Sequence, residues 1–171
     1  MVKTKIAIAG VLGRMGKNLI ESAQLNDVVE IVGIFDKSPI SEDHLVSLKL
    51  KSDIAITSDD AFDRADVVID FTSPSALFMF TESAIAHKAA LVVGTTGLEQ
   101  KHFNLLQQTS KATKIFYAPN MSLGVNSFFQ IARDTAAKLK DYDIEIIESH
   151  HKFKKDAPSG TAIKLGEEIA D

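Results

Sequence analysis

Short apolar runs alternate with longer amphipathic stretches along most of the chain. The apolar, β-branched runs predict buried strands at 5–9, 28–35, 67–71, 91–93 and 115–117, with a shorter candidate at 54–56. The stretches between them predict helices at 14–25, from Ser58, from Pro74 and at 99–111. This alternation indicates βαβ units, so we predict an α/β fold with a Rossmann-type, doubly wound parallel sheet. Residues 37–53 are polar and mixed, and their structure is not predicted.

The pattern changes after Asn120. Apolar positions from Val125 to Leu139 lie on one helical face, and Ser122 is a candidate N-cap for that helix. Residues 142–149 predict a strand, and a last helix is expected after a cap at Ser159 or Thr161. We therefore predict two domains, a doubly wound domain at 1–121 and the first part of an α+β domain at 122–171.

Composition narrows the class of protein. The 171 residues are 45% hydrophobic and 25% charged, which is typical of a globular domain. A formal charge of -4 and the lack of a long basic block argue against a nucleic-acid partner. No run is long enough to span a membrane and no signal-peptide pattern is present, so a cytoplasmic protein is expected. The chain has no cysteine, which excludes disulfides and the sulfur ligands of zinc.

A glycine cluster follows the first predicted strand and opens the first helix. Glycines at such a turn let the backbone approach a pyrophosphate, which the N–H groups of the helix N-terminus then bind. The spacing is G-x-x-G-x-x-G rather than G-x-G-x-x-G, and plain strand–helix packing is the alternative explanation. We favour a dinucleotide site, with these candidate residues: Gly10, Val11, Leu12, Gly13, Arg14 and Met15.

Asp36 closes the second strand, about 20 residues after the glycines, where an acid that binds ribose hydroxyls is expected. Lys37 beside it could attract the 2′-phosphate of NADP. The pair therefore suggests NADH or NADPH as cofactor, with NADH favoured. A solvated Asp–Lys turn is the alternative.

Three later segments follow strand ends on the same predicted edge of the sheet, where ligands of open α/β sheets bind. Glycine there permits close approach, and threonine hydroxyls can bind a ribose or a carboxamide. Ordinary turn chemistry is the alternative for the segments that begin at Phe71 and Gly94, each taken alone. The candidate residues are Phe71, Gly94, Thr95, Thr96, Ala118, Pro119, Asn120 and Met121.

The run EIIESHHKFKKDAPSGTA at 145–162 combines two histidines, a lysine cluster and a turn that leads into a helix. A proton donor, cations and a helix N-terminus are what the reduction of a small anion requires. Alone, a histidine or a lysine run is more often a surface feature. A metal site at His150 and His151 is disfavoured because adjacent strand residues point to opposite faces.

Together these segments resemble the 4-hydroxy-tetrahydrodipicolinate reductases (dihydrodipicolinate reductases). The resemblance is carried by IAGVLGRMG, VVIDFTSP, VVGTTGL, APNMSLGVN and EIIESHHKFKKDAPSGTA, which occur in the family's order. It implies reduction of the cyclic product of aspartate semialdehyde and pyruvate by NADH or NADPH, in lysine biosynthesis.

The resemblance also implies the roles of residues. The proton donor would be His150, the catalytic lysine Lys154, and the substrate-binding residues His151, Lys154, Ser159, Gly160 and Thr161. The substrate is a small dianion, and the family assembles as homotetramers. Two departures stand out: Leu12 is bulkier than usual, and Phe153 replaces a histidine of some members.

Family members continue past the position of Asp171. The sequence is therefore expected to carry only part of the substrate domain. The alternative to a reductase is a truncated, non-catalytic fragment that binds dinucleotide but reduces substrate poorly.

Overall fold

The computed structural model of the protein describes residues 2–150, 152 and 157–170. The chain forms two compact units, divided between Tyr117 and Ala118. The boundary predicted from the sequence lay slightly further along, after Met121.

A five-stranded parallel sheet forms the centre of the first unit, with strands in the order β2-β1-β3-β4-β5. The strand candidate at 54–56 forms only an isolated parallel bridge, between Ala55 and Gly33 of β2. The chain thus builds outward from β1 on one side and then crosses to β3 on the other. Ligands of such sheets bind beyond the carboxyl ends of the strands, where the order reverses. The strands are β1 (Thr4–Ala9), β2 (Val29–Phe35), β3 (Val67–Asp70), β4 (Ala90–Val93) and β5 (Ile115–Tyr117).

Five helices connect these strands, and a 3₁₀ turn at Pro74–Ala76 leads into the fourth. The helices predicted from the sequence are confirmed, and α2 lies within residues 37–53, for which the sequence predicts no structure. None of the helices in the described ranges has the length and apolar content needed to cross a lipid bilayer. The helices are α1 (Arg14–Gln24), α2 (Glu42–Ser47), α3 (Ser58–Arg64), α4 (Leu77–His87) and α5 (Gln100–Thr109).

The sheet is buried on both faces, which explains the continuous apolar runs of its strands. On β1, Ile6 and Ile8 join one core cluster, whereas Ala7 and Ala9 join the other. On the alanine side, three rings pack with centroids 5.4 to 6.1 Å apart. Small residues on this face leave room for those rings, which are Phe35, Phe62 and Phe80.

The second unit is built on two helices, α6 (Leu123–Lys138) and α7 (Gly160–Ala170). Ser122 caps α6, since its hydroxyl accepts a hydrogen bond from the N–H of Val125 at 3.4 Å. Ser159 caps α7 in the same way, through the N–H of Ala162 at 3.1 Å. Both caps agree with the sequence, and Ser159 rather than Thr161 takes the second one.

The strand predicted at 142–149 is wrong. The described residues there adopt no regular secondary structure, and Ile147 is 92% exposed. An apolar, β-branched run becomes a strand only where a neighbour completes its hydrogen-bond ladder. Within the described ranges no segment pairs with it.

Candidate active site

The glycine turn joins β1 to α1. Gly10 has a φ of +76°, a left-handed conformation that glycine adopts without strain. A Cβ at Gly16 would lie only 2.3 Å from the carbonyl oxygen of Gly10. Helix α1 therefore starts in direct contact with the turn, and this approach excludes any side chain at Gly16.

The start of α1 presents its backbone N–H groups without a side-chain cap. Gly13 is the N-cap residue and makes no side-chain hydrogen bond. Arg14 and Met15 are exposed, whereas Val11 is buried in the core. The first N–H groups of a helix have no partner inside the helix, so they remain available to an anion.

Asp36 follows β2 and connects the glycine turn to the residues after that strand by hydrogen bonds. Its Oδ2 accepts a hydrogen bond from the N–H of Leu12 at 3.0 Å, and its Oδ1 accepts one from the N–H of Ser38 at 3.2 Å. Each carboxylate oxygen has a second lone pair, so both can still accept a bond from a ribose hydroxyl. Lys37 beside it is exposed.

A cleft of about 560 Å³ opens at this edge of the sheet. That volume is within the range of small-molecule sites. Carboxylate, hydroxyl and apolar groups line it together, as expected for a site that holds a ribose and an adenine. The lining includes Gly10, Leu12, Asp36, Thr57, Phe71 and Met79.

Beside this cleft, a buried carboxyl group lies at the end of β3. Asp70 is fully buried, and its Oδ1 accepts hydrogen bonds from the N–H and the hydroxyl of Thr72 at 2.8 and 2.6 Å. Burial raises the pKa of Asp70, and hydrogen bonds from Thr72 and Thr95 partly oppose that rise. Among the described residues Oδ2 has no hydrogen-bond partner.

Two predicted residues after β4 have specific local roles. Gly94 lies against the ring of Phe71, and a Cβ there would come within 2.2 Å of two ring carbons. The hydroxyl of Thr95 is buried and accepts a hydrogen bond from the N–H of Thr72 at 3.0 Å. Thr95 therefore stabilises the turn from inside, whereas Thr96 is exposed.

The second unit contains the predicted proton donor. His150 Nδ1 lies 3.3 Å from Oε2 of Glu148. The same carboxylate accepts hydrogen bonds from the N–H of Ser159, at 2.7 Å, and from its hydroxyl. His150 is thereby linked to the N-terminus of α7, where Gly160 and Thr161 begin the helix.

A cleft of about 420 Å³ lies at this point of the second unit. Its lining is partly apolar, from Phe128, Phe129, Ile146 and Leu165, and carries His150, Ser159 and Thr161. The predicted His151 and Lys154 lie outside the described residues.

The last predicted cofactor segment, Ala118 to Met121, begins the second unit. Its Asn120 accepts hydrogen bonds from the N–H of Ser122 at 2.9 Å and from the side-chain amide of Asn126 at 3.1 Å. These bonds hold the segment to the first turn of α6. The described residues contain no group of three or more histidine, cysteine or acidic side chains placed to hold a metal ion.

Two residues of these sites were not predicted from the sequence. Asp70 ends an apolar strand and is its only charged residue, which is a signal for a buried functional carboxyl. Glu148 lies two positions before His150, the spacing that puts side chains on one face of an extended chain. Both signals are present in the amino-acid sequence.

Comparison with known families gives two matches that together cover nearly the whole chain. The family model described as "Dihydrodipicolinate reductase, N-terminus" matches residues 4–121. The one described as "Dihydrodipicolinate reductase, C-terminus" matches residues 124–171. The second match includes His150 and the start of α7.

Individual relatives agree with this. A 4-hydroxy-tetrahydrodipicolinate reductase from Colwellia psychrerythraea is 40% identical, over 99% of this chain and 66% of its own length. One from Polynucleobacter necessarius is 43% identical, over 98% of this chain and 65% of its own length. The chain thus spans about two thirds of the length of these curated relatives.

A solved structure is similar as well. The dipicolinate-bound dihydrodipicolinate reductase from Paenisporosarcina sp. TG-14 superposes with a TM-score of 0.76 at 28% identity. The similarity covers 99% of this chain and 66% of that one.

Proposed function

Because this chain belongs to the dihydrodipicolinate reductase family, we propose that it takes part in the NADH- or NADPH-dependent reduction of 4-hydroxy-tetrahydrodipicolinate to tetrahydrodipicolinate. This is a step of diaminopimelate and lysine biosynthesis. The observation that carries the proposal is the cleft of the second unit, where His150 and the N-terminus of α7 are held by one carboxylate. A proton donor beside an anion site suits the reduction of a carboxylated imine.

The dinucleotide would be held by the first unit. Its pyrophosphate fits the Gly10–Gly13 turn and the uncapped start of α1, and a ribose fits Asp36. Within this unit, the nicotinamide side would involve Phe71, Gly94 and Thr96. The family resemblance also implies a cofactor role for Ala118 to Met121, which begin the second unit. When bound, the reduced cofactor supplies the hydride.

The substrate would be bound as a dianion by the second unit. Ser159 caps α7 through Ala162, so the N–H groups of Gly160 and Thr161 are left for a carboxylate. His151 and Lys154 are proposed to add charge and hydrogen bonds, as the family resemblance implies. His150 would donate the proton that balances the incoming hydride.

The alternative of a non-catalytic fragment has less support. The C-terminal family model matches the residues that carry the proposed proton donor and anion site. The homotetramer and the cytoplasmic location stay predictions.

The test is to replace His150 and Lys154 by alanine, separately. We expect kcat to fall by roughly 10²- to 10⁴-fold for His150→Ala, the usual contribution of a general acid. The dissociation constant for NADH, measured by fluorescence titration, should hardly change. Lys140→Ala, an exposed lysine of the second unit, is the matched control. Turnover near the wild-type value in both variants would remove His150 and Lys154 from these roles.

A further inference from the structure

Glu148 contacts two parts of the second site at once. Its Oε1 accepts the N–H of Ser159 at 2.7 Å, and its Oε2 accepts the hydroxyl of Ser159. Oε2 also lies 3.3 Å from Nδ1 of His150. The N–H and the hydroxyl of Ser159 both donate to this carboxyl group, which fits its ionised form, a form that only accepts hydrogen bonds.

The contact with His150 decides which ring nitrogen carries a proton. A lone pair on Nδ1 would face the negative Oε2 and be repelled, whereas an N–H there is attracted. Nδ1 therefore keeps its proton in both charge states of the ring. The proton that the ring can donate to the substrate is then the one on Nε2.

The contact with Ser159 fixes the direction of a second group. Because the hydroxyl of Ser159 donates to Glu148, its lone pairs are free to accept the N–H of Ala162, at 3.1 Å. Ser159 is buried, with 4% of the residue exposed, so water does not compete strongly for its hydroxyl. The start of α7 is thus fixed by the same carboxylate that orients His150.

We propose that Glu148 is the positioning residue of this site: it holds His150 as the Nδ1–H form, so that Nε2 is the donor atom, and it fixes the anion-binding start of α7. The proposal rests on the role assigned to His150 above. In the step, the Nε2–H bond breaks, its electron pair stays on Nε2, and the proton joins the reduced substrate. The ring is left neutral with its proton on Nδ1, and Glu148 stays ionised throughout.

The test uses ¹⁵N-histidine-labelled protein of the full chain, in which the ¹⁵N shifts of His150 report the tautomer of the neutral ring. We expect the Nδ1–H form in the wild type. In Glu148→Gln the amide can turn its NH₂ group toward the ring, so the Nε2–H form should appear. We expect kcat to fall roughly 10- to 100-fold, part of the usual contribution of a general acid, with the NADH dissociation constant unchanged. Glu145→Gln, in the same segment, is the control.

Ser159→Ala separates the two contacts. It removes the hydroxyl and leaves the carboxylate beside His150, so the Nδ1–H form should persist while KM rises more than kcat falls. This variant also tests the proposal if Glu148→Gln proves unfolded by circular dichroism. A Nε2–H ring in Ser159→Ala would then contradict the positioning role of Glu148.

An unchanged tautomer and unchanged kcat in folded Glu148→Gln would overturn the proposal. If His150→Ala still abolishes turnover in that case, the proposed function stands and only the role of Glu148 falls. A wild-type protein without reductase activity would instead overturn the proposed function, and a tautomer shift in Glu148→Gln would still support the contact with His150.

Discussion

In the first unit the candidate site is formed mainly by the backbone at the ends of strands that are buried on both faces. In the second unit the candidate site is formed by the side chains of Glu148, His150 and Ser159. Ala7 and Ala9, which lead into the glycine turn, are fully buried. Among the described residues of the second unit, only Phe129 and Ser159 are buried. The first site should therefore be damaged most by added atoms, and the second by removed polar groups.

The largest expected effect comes from adding one methyl group to the glycine turn. In Gly16→Ala the new Cβ would lie 2.3 Å from the Gly10 oxygen and 2.6 Å from the Val11 Cα, so the backbone must move. We expect a loss of about 1–3 kcal/mol in unfolding free energy, as for overpacked cores, and much weaker NADH binding. Hydrogen exchange of α1 and β1 measures the first effect, and fluorescence titration measures the second.

The matched control makes the same change in the second unit. At Gly166 in α7 the nearest atom to an added Cβ is Ile146 Cδ1, at 3.8 Å. Gly166→Ala should stabilise α7 by about 0.5–1 kcal/mol, since alanine is the better helix former. If both variants lost the same stability, the contrast between the two units would not hold.

The first site could be largely predicted because its signals are local. Strand ends, the glycine turn and Asp36 follow from hydrophobic pattern and spacing, and the sheet brings them together in any doubly wound fold. The internal role of Thr95 could not be predicted, because it depends on the packing of Asp70 between two strand ends.

The second site was predicted in part. The caps at Ser122 and Ser159 are local and were found. The contact of Glu148 with Ser159 joins residues eleven positions apart, so no local pattern specifies it. The strand at 142–149 failed for a similar reason. Its apolar residues fit a strand, but a strand also needs a partner, which no pattern within the segment specifies.

The buried carboxyl group of the first unit should make stability depend on pH. Because the pKa of Asp70 is raised above its ordinary value of 3.8, the folded state binds its proton more tightly than the unfolded state. Its contribution to stability is complete below pH 3.8 and is lost as the pH rises through the raised pKa. Asp70→Asn should lack this loss. The difference in urea midpoint between wild type and variant, measured across pH 3 to 8, tests whether Asp70 causes this loss of stability.

Thr72→Val refines that experiment. The Thr72 hydroxyl donates to Asp70 at 2.6 Å and thereby lowers its pKa. Removing the hydroxyl should move the loss of stability to higher pH. A midpoint difference for Asp70→Asn that stays constant over the whole range would contradict the burial of an ionisable group there.

The smallest expected effect has the opposite sign and lies in the second unit. The carboxylate of Glu168 forms ion pairs with Lys164, at 3.0 Å, and with Arg133 of α6, at 3.2 Å. Hydrogen bonding to Lys164 is the main cause of the lowered pKa of Glu168. Its contribution is therefore present above the ordinary value of 4.5 and is lost as the pH falls through the lowered pKa. Glu168→Gln should remove this dependence, which exchange protection of α7 between pH 3 and 6 would measure.

Solvent screens this carboxylate, so the effect should be slight, and 0.5 M salt should reduce it further. Glu167→Gln is the matched control, because it removes an equal charge whose contact with Lys164 is longer, at 3.5 Å. The buried Asp70 should be nearly indifferent to salt, since buried charges are screened much less. Equal salt sensitivity at Asp70 and Glu168 would mean that both units expose their carboxylates alike, and the distinction between a buried first site and an exposed second one would fail.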